Sequence, residues 1–247
     1  GIPGQQRENN KAMRRIKLTV AYDGTAYKGW QLQPNGVTIE EMLNKALSDL
    51  LKEPVCVIGA SRTDSGVHAR GNVAVFDTES RIPGDKFCYA VNRRLPEDIR
   101  VVESEEVPLD WHPRKQNCVK TYEYQILNCK IEIPTRRLYA HFCYYPLNVE
   151  KMNEAAKYLI GEHDFIRRVD GCGGDGARDC EFVLLVLGSS LAPEWHKTVH
   201  LVLKLAHGKS FQSGLPLPYS MFAVHWRSNG TEVAPHRQGA QLPTRPL

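Results

Sequence analysis

The sequence predicts a fold that combines β-strands with α-helices, because two kinds of hydrophobic pattern alternate along the chain. Residues 14–22 and 72–76 alternate polar with apolar side chains, which is the two-residue period of a β-strand. Between them, residues 39–51 repeat apolar side chains at intervals of three and four, which is the period of a helix. At 247 residues, the chain is long enough to bury a sizeable core in one or two domains.

The composition is that of an ordinary globular protein. Hydrophobic residues make up 42% of the chain and charged residues 24%. No apolar run approaches the roughly 20 residues that a membrane span needs, so no membrane segment is expected. The seven cysteines show no tight spacing, which predicts free thiols in a reducing cytoplasm. The net charge of +4 is compatible with nucleic acid that is bound in one localised basic groove.

The first predicted strand is followed by the turn signal Asp-Gly-Thr and then by a helix. Thr38 is a suitable N-cap for that helix, and Glu41, three residues later, completes a capping box. The apolar face of the helix consists of Ile39, Met42, Leu43, Ala46, Leu47, Leu50 and Leu51. A face of this kind indicates a core helix that carries no chemistry.

A polar, glycine-bearing loop at residues 61–70 lies between two strand-like runs, residues 55–58 and 72–76. It holds one carboxylate, Asp64, between the guanidinium groups of Arg62 and Arg70. A nearby arginine would lower the pKa of the carboxyl, and a charged carboxylate on a rigidly held loop is a candidate nucleophile. The alternative is that Asp64 caps the loop by accepting hydrogen bonds from backbone amides. The local chemistry leaves both interpretations open.

Two further helices are predicted after this loop. Residues 84–95 favour a helix that Pro96 ends, because proline cannot continue it. Arg93 and Arg94 form either a solvated face of this helix or phosphate contacts. The second helix follows residue 150 and has Gly161 in the usual C-terminal position.

Residues 120–126 have the alternation of a strand and carry two tyrosines, Tyr122 and Tyr124. Either ring is suited to packing in the core, and the pattern does not choose between them. A basic cluster interleaved with aromatic residues accompanies this strand, and its members are Arg114, Lys115, Lys120, Arg136 and Arg137. Cations bind backbone phosphates and aromatic faces stack on splayed bases, so the cluster is suited to RNA.

The central loop closely resembles the active-site signature of the TruA-type tRNA pseudouridine synthases, with seven consecutive residues of mixed type in agreement. The segments that resemble the family are residues 22–33, 59–69, 92–99, 111–126 and 159–165, and residues 59–69 nearly spell the signature Gly-x-Arg-Thr-Asp-x-Gly-Val-His-Ala. The resemblance covers roughly residues 14–165, about three-fifths of the chain. Pro113 and Lys115 depart from the residues that are usual in the family.

The resemblance implies roles for individual side chains. Asp64 matches the family's catalytic aspartate, and Tyr122 matches the tyrosine that stacks on the target base and is placed to act in proton transfer. The predicted substrate-binding residues are Tyr27, Arg62, Arg70, Arg93, Arg94, Arg114 and Lys120. The family uses no cofactor and no metal, so neither is expected here.

The fold that the resemblance implies is α+β: two ferredoxin-like, mixed-sheet halves with helices on their outer faces and an RNA cleft between them. Residues 14–110 would form the N-terminal domain with the aspartate loop, and residues 111–228 the C-terminal domain. A disordered leader is expected at residues 1–13 and a disordered tail at residues 229–247. The implied activity is isomerisation of uridine to pseudouridine in the anticodon arm of tRNA, by a cytoplasmic homodimer.

The resemblance stops after Phe165, and the C-terminal third of the fold is left unassigned. The family carries a Phe-Leu-Tyr-x-Met-Val-Arg string whose arginine pairs with the catalytic aspartate, and no such string exists in residues 166–247. Two alternatives to an active enzyme therefore stay open: a non-catalytic RNA-binding paralogue and the product of a shifted reading frame. Residues 215–218 can be encoded so that reading one nucleotide later gives Phe-Leu-Tyr-His.

Overall fold

The computed structural model describes residues 12–116, 118–163, 180–189, 197–206 and 221–228. Within these residues, no helix is both long enough and apolar enough to cross a membrane. The predicted leader lies almost entirely outside the described residues, and the predicted tail lies wholly outside them.

The described residues form a mixture of strands and helices, as predicted. The strands are β1 (Arg14–Tyr22), β2 (Ile58–Gly59), β3 (Ala69–Thr78), β4 (Ile99–Val107), β5 (Cys118–Asn128), β6 (His141–Cys143), β7 (Gly161–His163), β8 (Cys180–Ser189), β9 (Lys197–Ala206) and β10 (Met221–Ser228). The α-helices are α1 (Ile39–Leu51), α2 (Phe87–Asn92) and α3 (Val149–Ala156). Short 3-10 turns lie at Gly84–Lys86, Pro134–Arg136 and Lys157–Leu159.

The strands hydrogen-bond in the order β4-β1-β3-β10-β5-β9-β8-β7, with β2 beside β3 and β6 beside β5. Strand β1 runs antiparallel to both β3 and β4, and β5 runs antiparallel to β9 and β10. Strand β10 also meets β3 through one parallel pair, His225 with Gly71. Strand β10 therefore joins β3, which follows the Asp64 loop, to β5, which carries Tyr122. The ferredoxin-like form of the two halves and the RNA cleft stay predictions.

Residues beyond the end of the resemblance contribute strands β8, β9 and β10. Strand β9 pairs with β5 from Val119 to Asn128. Val199 on β9 is buried with Ile126 and Ala156, so β9 also supplies part of a second, smaller core.

The larger core forms where α1 packs against the sheet. Strand β1 buries every second side chain, which are Ile16, Leu18, Val20 and Tyr22. Helix α1 buries Ile39, Leu43, Ala46 and Leu47, all of them on the predicted apolar face. Burying each of the larger aliphatic side chains contributes about 1.5–3 kcal/mol. This core holds β3 in place, and with it the C-terminal end of the Asp64 loop.

Helix α1 begins at its predicted cap. Thr38 has extended backbone, and its Oγ1 accepts a hydrogen bond from the amide of Glu41 at 3.3 Å. This contact satisfies one of the amides that a helix leaves unpaired in its first turn.

The strand predicted at residues 55–58 is wrong in its bounds, since only Ile58 and Gly59 pair as β2. The amide of Val55 donates to Ser48 Oγ at 2.9 Å. The amide of Val57 likewise donates to Asn44 Oδ1 at 2.8 Å. Side chains of α1 therefore satisfy the amides that a neighbouring strand would otherwise have used.

The two later helices are shorter than predicted. The segment predicted as one helix at residues 84–95 is a 3-10 turn followed by α2, which ends at Asn92. The predicted end at Gly161 is wrong, because the backbone of Ile160 is already extended (φ −80°, ψ 133°). Gly161 begins β7 instead of capping a helix.

Candidate active site

Asp64 lies on the loop between β2 and β3, and its side chain is exposed. Burial alternates along the loop: Ser61 and Thr63 are buried, whereas Arg62 and Asp64 are exposed. The amide of Val67 donates to the carbonyl oxygen of Asp64 at 3.2 Å, which closes a turn just after the carboxylate. The buried positions anchor the loop, and the charged side chains between them face solvent.

The segment between β1 and α1 supports the Asp64 loop through hydrogen bonds on both sides of the carboxylate. Before Asp64, the amide of Trp30 donates to the carbonyl oxygen of Thr63 at 3.0 Å. After it, the amide of Gly66 donates to the carbonyl oxygen of Tyr27 at 3.2 Å, and the Oγ of Ser65 donates to the same atom at 3.2 Å. The position of Asp64 is therefore fixed by main-chain contacts with a neighbouring segment.

Two glycines in the supporting segment allow this close approach. Gly29 has φ +86°, and a Cβ there would lie 2.5 Å from the carbonyl oxygen of Thr63. A Cβ at Gly24 would lie 2.0 Å from the carbonyl oxygen of Val67. A side chain at either position would push the supporting segment away from the loop, so the glycines serve the site by being small.

Tyr27, a predicted substrate-binding residue, is buried beneath the loop. Its hydroxyl donates to Asp98 Oδ1 at 2.6 Å. Burial and the hydrogen bond to Asp98 raise the pKa of Tyr27, so the phenol stays neutral. The observed contacts make Tyr27 a support for the loop, and its contact with RNA stays a prediction.

Tyr122, the second predicted catalytic residue, lies on β5 and is only 6% exposed. Strand β10 lies between β5 and β3, and its His225 pairs with Thr121, the neighbour of Tyr122, and with Gly71 just after the Asp64 loop. The hydroxyl of Tyr22 lies 2.9 Å from Thr63 Oγ1. The sheet order therefore puts Tyr122 one strand away from the strand that follows the Asp64 loop.

Tyr124 lies further along β5 and has different neighbours. Its ring lies 6.2 Å from that of His141, and it packs against the smaller core around Ile126. Tyr124 pairs with Met221, whereas Tyr122 follows Thr121, which pairs with His225 beside Gly71, so Tyr122 is nearer to the loop that carries the carboxylate.

The predicted RNA-binding cations have unequal surroundings. Arg62 and Arg93 are exposed. Arg94 is also exposed, but its Nε lies 2.8 Å from Asp49 Oδ2 in an ion pair. Lys120 is only 3% exposed, so its ammonium group is not part of the surface.

Two of the predicted cations contact the protein close to the Asp64 loop. The guanidinium group of Arg70 lies 3.2 Å from Glu123, whose other oxygen lies 2.5 Å from His200 Nδ1. The Nε of Arg114 donates to the carbonyl oxygen of Gly59 at 2.9 Å, where the chain enters the loop. Arg70 and Arg114 thus link the loop to the second half of the chain, and their binding to RNA stays a prediction.

Three polar residues at the site were given no role by the sequence patterns. His68, which is 3% exposed, has Nδ1 2.9 Å from Asp23 Oδ1. Tyr139 donates from its hydroxyl to Asp23 Oδ2 at 2.7 Å. The sequence patterns indicate only a turn at Asp23 and only membership of the signature for His68. No local pattern pointed to Tyr139, because its partner is 116 residues away.

Within the described part of the chain, no group of three or more His, Cys, Asp or Glu side chains could hold a metal ion. Cys56, Cys88, Cys129 and Cys143 are free thiols.

Comparison with known proteins identifies relatives for the part of the chain that forms this site. Residues 18–114 match the family model described as tRNA pseudouridine synthase. The chain is 50% identical over 153 residues to tRNA pseudouridine synthase A of Thermoanaerobacter sp. (strain X514), which is 62% of this chain and 63% of the relative. It is 51% identical over 154 residues to tRNA pseudouridine synthase A of Ruminiclostridium cellulolyticum, with the same shares. The predicted resemblance is thereby confirmed over about 62% of the chain, which spans under two-thirds of the length of these relatives.

Proposed function

We propose, from the match of about 62% of this chain to tRNA pseudouridine synthases, that the protein converts uridine to pseudouridine in tRNA. The observation that carries the proposal is the exposed carboxylate of Asp64, held on a loop that hydrogen-bonds to its neighbouring segment on both sides. A reactive group that is fixed in this way can be aimed at a bound nucleotide at little entropic cost.

The reaction exchanges one bond at the ribose for another. The bond between N1 of uracil and C1′ breaks, the base turns, C5 bonds to C1′, the proton on C5 leaves, and N1 takes up a proton. Asp64 would act as the nucleophile, and its bond to C1′ of the sugar or to the base would break again before the product leaves, which frees the carboxylate. Attack at either place is compatible with an exposed carboxylate. Substrate and product are isomers, so the balance requires no external oxidant or reductant.

Tyr122 would act on the base once the nucleotide has left the stem. A base inside a duplex must be extruded before an enzyme can reach it, and an aromatic ring can then stack on it. Tyr122, the matching tyrosine on β5, is suited to stacking and to helping remove the proton from C5.

The substrate would be held by cations around the loop. Arg62, Arg93, Arg114 and Lys115 are exposed, and exposed guanidinium and ammonium groups bind backbone phosphates. The family resemblance supports the anticodon arm as the target, a homodimer as the working form and the cytoplasm as the location.

The test is to map pseudouridine in unmodified tRNA transcripts after incubation with the full chain. The proposal predicts new pseudouridine in the anticodon arm and none when Asp64→Asn is used. Pseudouridine elsewhere in the tRNA would contradict the proposed target. Absence of pseudouridine with the unchanged chain would contradict the activity itself.

A second candidate, a non-catalytic tRNA-binding protein, is favoured by the missing Phe-Leu-Tyr-x-Met-Val-Arg string. In the family, the arginine of that string pairs with the catalytic aspartate, and a charge-assisted pair of this kind keeps a carboxylate ionised and aimed. A protein of this class would bind tRNA with salt-sensitive affinity and form no pseudouridine. Sequencing the coding DNA beyond codon 160 tests the related hypothesis of a shifted frame, because a restored string in another frame would support it.

A further inference from the structure

Three side chains from separate parts of the chain meet beneath the Asp64 loop. Asp23 follows β1, His68 precedes β3 and lies four residues after Asp64, and Tyr139 lies in the segment before β6. Tyr139 also lies outside residues 18–114, the range that the family model matches. The contact therefore connects a later segment to the loop that carries the carboxylate.

Hydrogen bonds hold Asp23 as a carboxylate. Its Oδ2 accepts from the hydroxyl of Tyr139 at 2.7 Å. Its Oδ1 accepts from the amide and the hydroxyl of Thr25 at 3.0 and 2.5 Å. Burial opposes the charge, but the hydrogen bonds from Thr25 and Tyr139 and the nearby His68 outweigh it and lower the pKa of Asp23. The same bond raises the pKa of Tyr139, so the phenol keeps its proton and remains the donor.

His68 connects Asp23 and Tyr139 to the loop that carries Asp64. Its Nδ1 lies 2.9 Å from Asp23 Oδ1, to which it donates when it carries a hydrogen, and 3.2 Å from the amide nitrogen of Gly24, from which it accepts when it carries none. Its Nε2 lies 3.3 Å from the carbonyl oxygen of Leu138. The rings of His68 and Tyr139 lie 5.3 Å apart. The imidazole thus contacts Asp23, Leu138 and Tyr139, and it belongs to the same short segment as Asp64.

We propose that Tyr139 is a positioning residue, which acts through Asp23 and His68 to hold the Asp64 loop in its reactive position. The catalytic part of this inference relies on the proposed function, whereas its structural part does not. Loss of the Tyr139 hydroxyl would leave Asp23 with one donor fewer. His68 would then be held less firmly, and the loop would open more often.

The structural part is tested by hydrogen exchange of peptides that span residues 61–70. The amides of Gly66 and Val67 are hydrogen-bonded within the site and report its opening. Tyr139→Phe keeps the ring against His68 and removes only the hydroxyl. Because hydrogen bonds to charged groups are strong, exchange in this peptide should rise about tenfold. The control is Tyr145→Phe, an exposed tyrosine in the following segment, which should leave the exchange unchanged.

The catalytic part is tested on tRNA with the same variants. Tyr139→Phe should lower kcat about tenfold and leave KM for tRNA unchanged, because the hydroxyl positions the loop and does not bind RNA. In a His68→Gln background, adding Tyr139→Phe should cause little further loss, since the two residues act in one chain of contacts.

Each outcome decides a separate point. Unchanged exchange in Tyr139→Phe would overturn the positioning role, whether or not the protein is a synthase. Faster exchange with unchanged kcat would overturn the catalytic part alone. If the unchanged chain forms no pseudouridine, the proposed function fails, and the exchange result still decides whether Tyr139 holds the loop.

Discussion

The amide of Trp30 donates a hydrogen bond to the carbonyl oxygen of Thr63 at 3.0 Å, one residue before Asp64. This contact links the segment between β1 and α1 to the loop that carries the carboxylate. The support is main-chain to main-chain, so it depends on how closely two backbones approach.

Replacing Gly29 by alanine should destabilise the protein and misplace the loop. Gly29 has φ +86°, and a Cβ would lie 2.5 Å from the carbonyl oxygen of Thr63. We expect the free energy of unfolding, measured with urea, to fall by about 1–3 kcal/mol. The matched control is Gly36→Ala, whose Cβ would meet only the side chain of Lys28, which is exposed and can move away. Equal losses in both variants would contradict the close-approach argument.

Asp23→Asn should reduce stability in a pH-dependent way. The folded protein holds the pKa of Asp23 below its ordinary value of 3.8, so the carboxylate stabilises the fold above that value. This stabilisation is lost as the pH falls through the lowered pKa. The difference in unfolding free energy between the unchanged chain and Asp23→Asn should therefore be largest near neutral pH and shrink below about pH 4. A difference that stays constant from pH 7 to pH 3 would contradict the prediction.

Tyr122→Phe should lower turnover while tRNA binding is kept. Phenylalanine retains the stacking face and removes the hydroxyl that would assist proton transfer, so a loss of roughly a hundredfold in kcat is expected. Tyr124→Phe is the control, because Tyr124 packs on the smaller core near His141. Tritium release from uridine labelled at C5 measures this step directly. A larger loss in Tyr124→Phe would assign the role to the other tyrosine.

The affinity for tRNA should fall with rising salt, because phosphate contacts release counterions. Replacing Arg62, Arg93, Arg114 and Lys115 by glutamine should flatten the plot of log affinity against log salt by about 0.7–0.9 per lost contact. Arg94→Gln should change the slope less, since Arg94 is paired with Asp49. An unchanged slope in the fourfold variant would show that these cations are only a solvated surface.

The elements that the sequence predicted well are those that local pattern determines. Strand β1 has the predicted bounds because its burial alternates with period two, and Thr38 caps α1 because a hydroxyl before a helix reaches the third amide. The segment at 55–58 failed as a strand because Asn44 and Ser48 satisfy its amides, which no periodicity reveals.

In the candidate site, too, the sequence predicted what one contiguous motif determines and missed the contacts between residues that are distant in sequence. Asp64 and its neighbours form one contiguous motif, so they were found from the sequence. The pairing of Tyr139 with Asp23 joins residues 116 positions apart, and only the folded chain brings them together. The position of β10 between β3 and β5 is non-local in the same way, since it places a late strand at the centre of the sheet.

The rate of pseudouridine formation by Asp64→Asn, measured together with tRNA affinity, tests the central claim most directly. The carboxylate is exposed and its amide analogue is nearly isosteric, so the loop should keep its hydrogen bonds to Tyr27 and Trp30. Asp85→Asn, a change at another exposed aspartate, controls for loss of charge. We predict no detectable turnover for Asp64→Asn, with tRNA affinity and melting temperature close to those of the unchanged chain. Turnover by Asp64→Asn equal to that of Asp85→Asn would contradict the assignment of Asp64 as the catalytic residue.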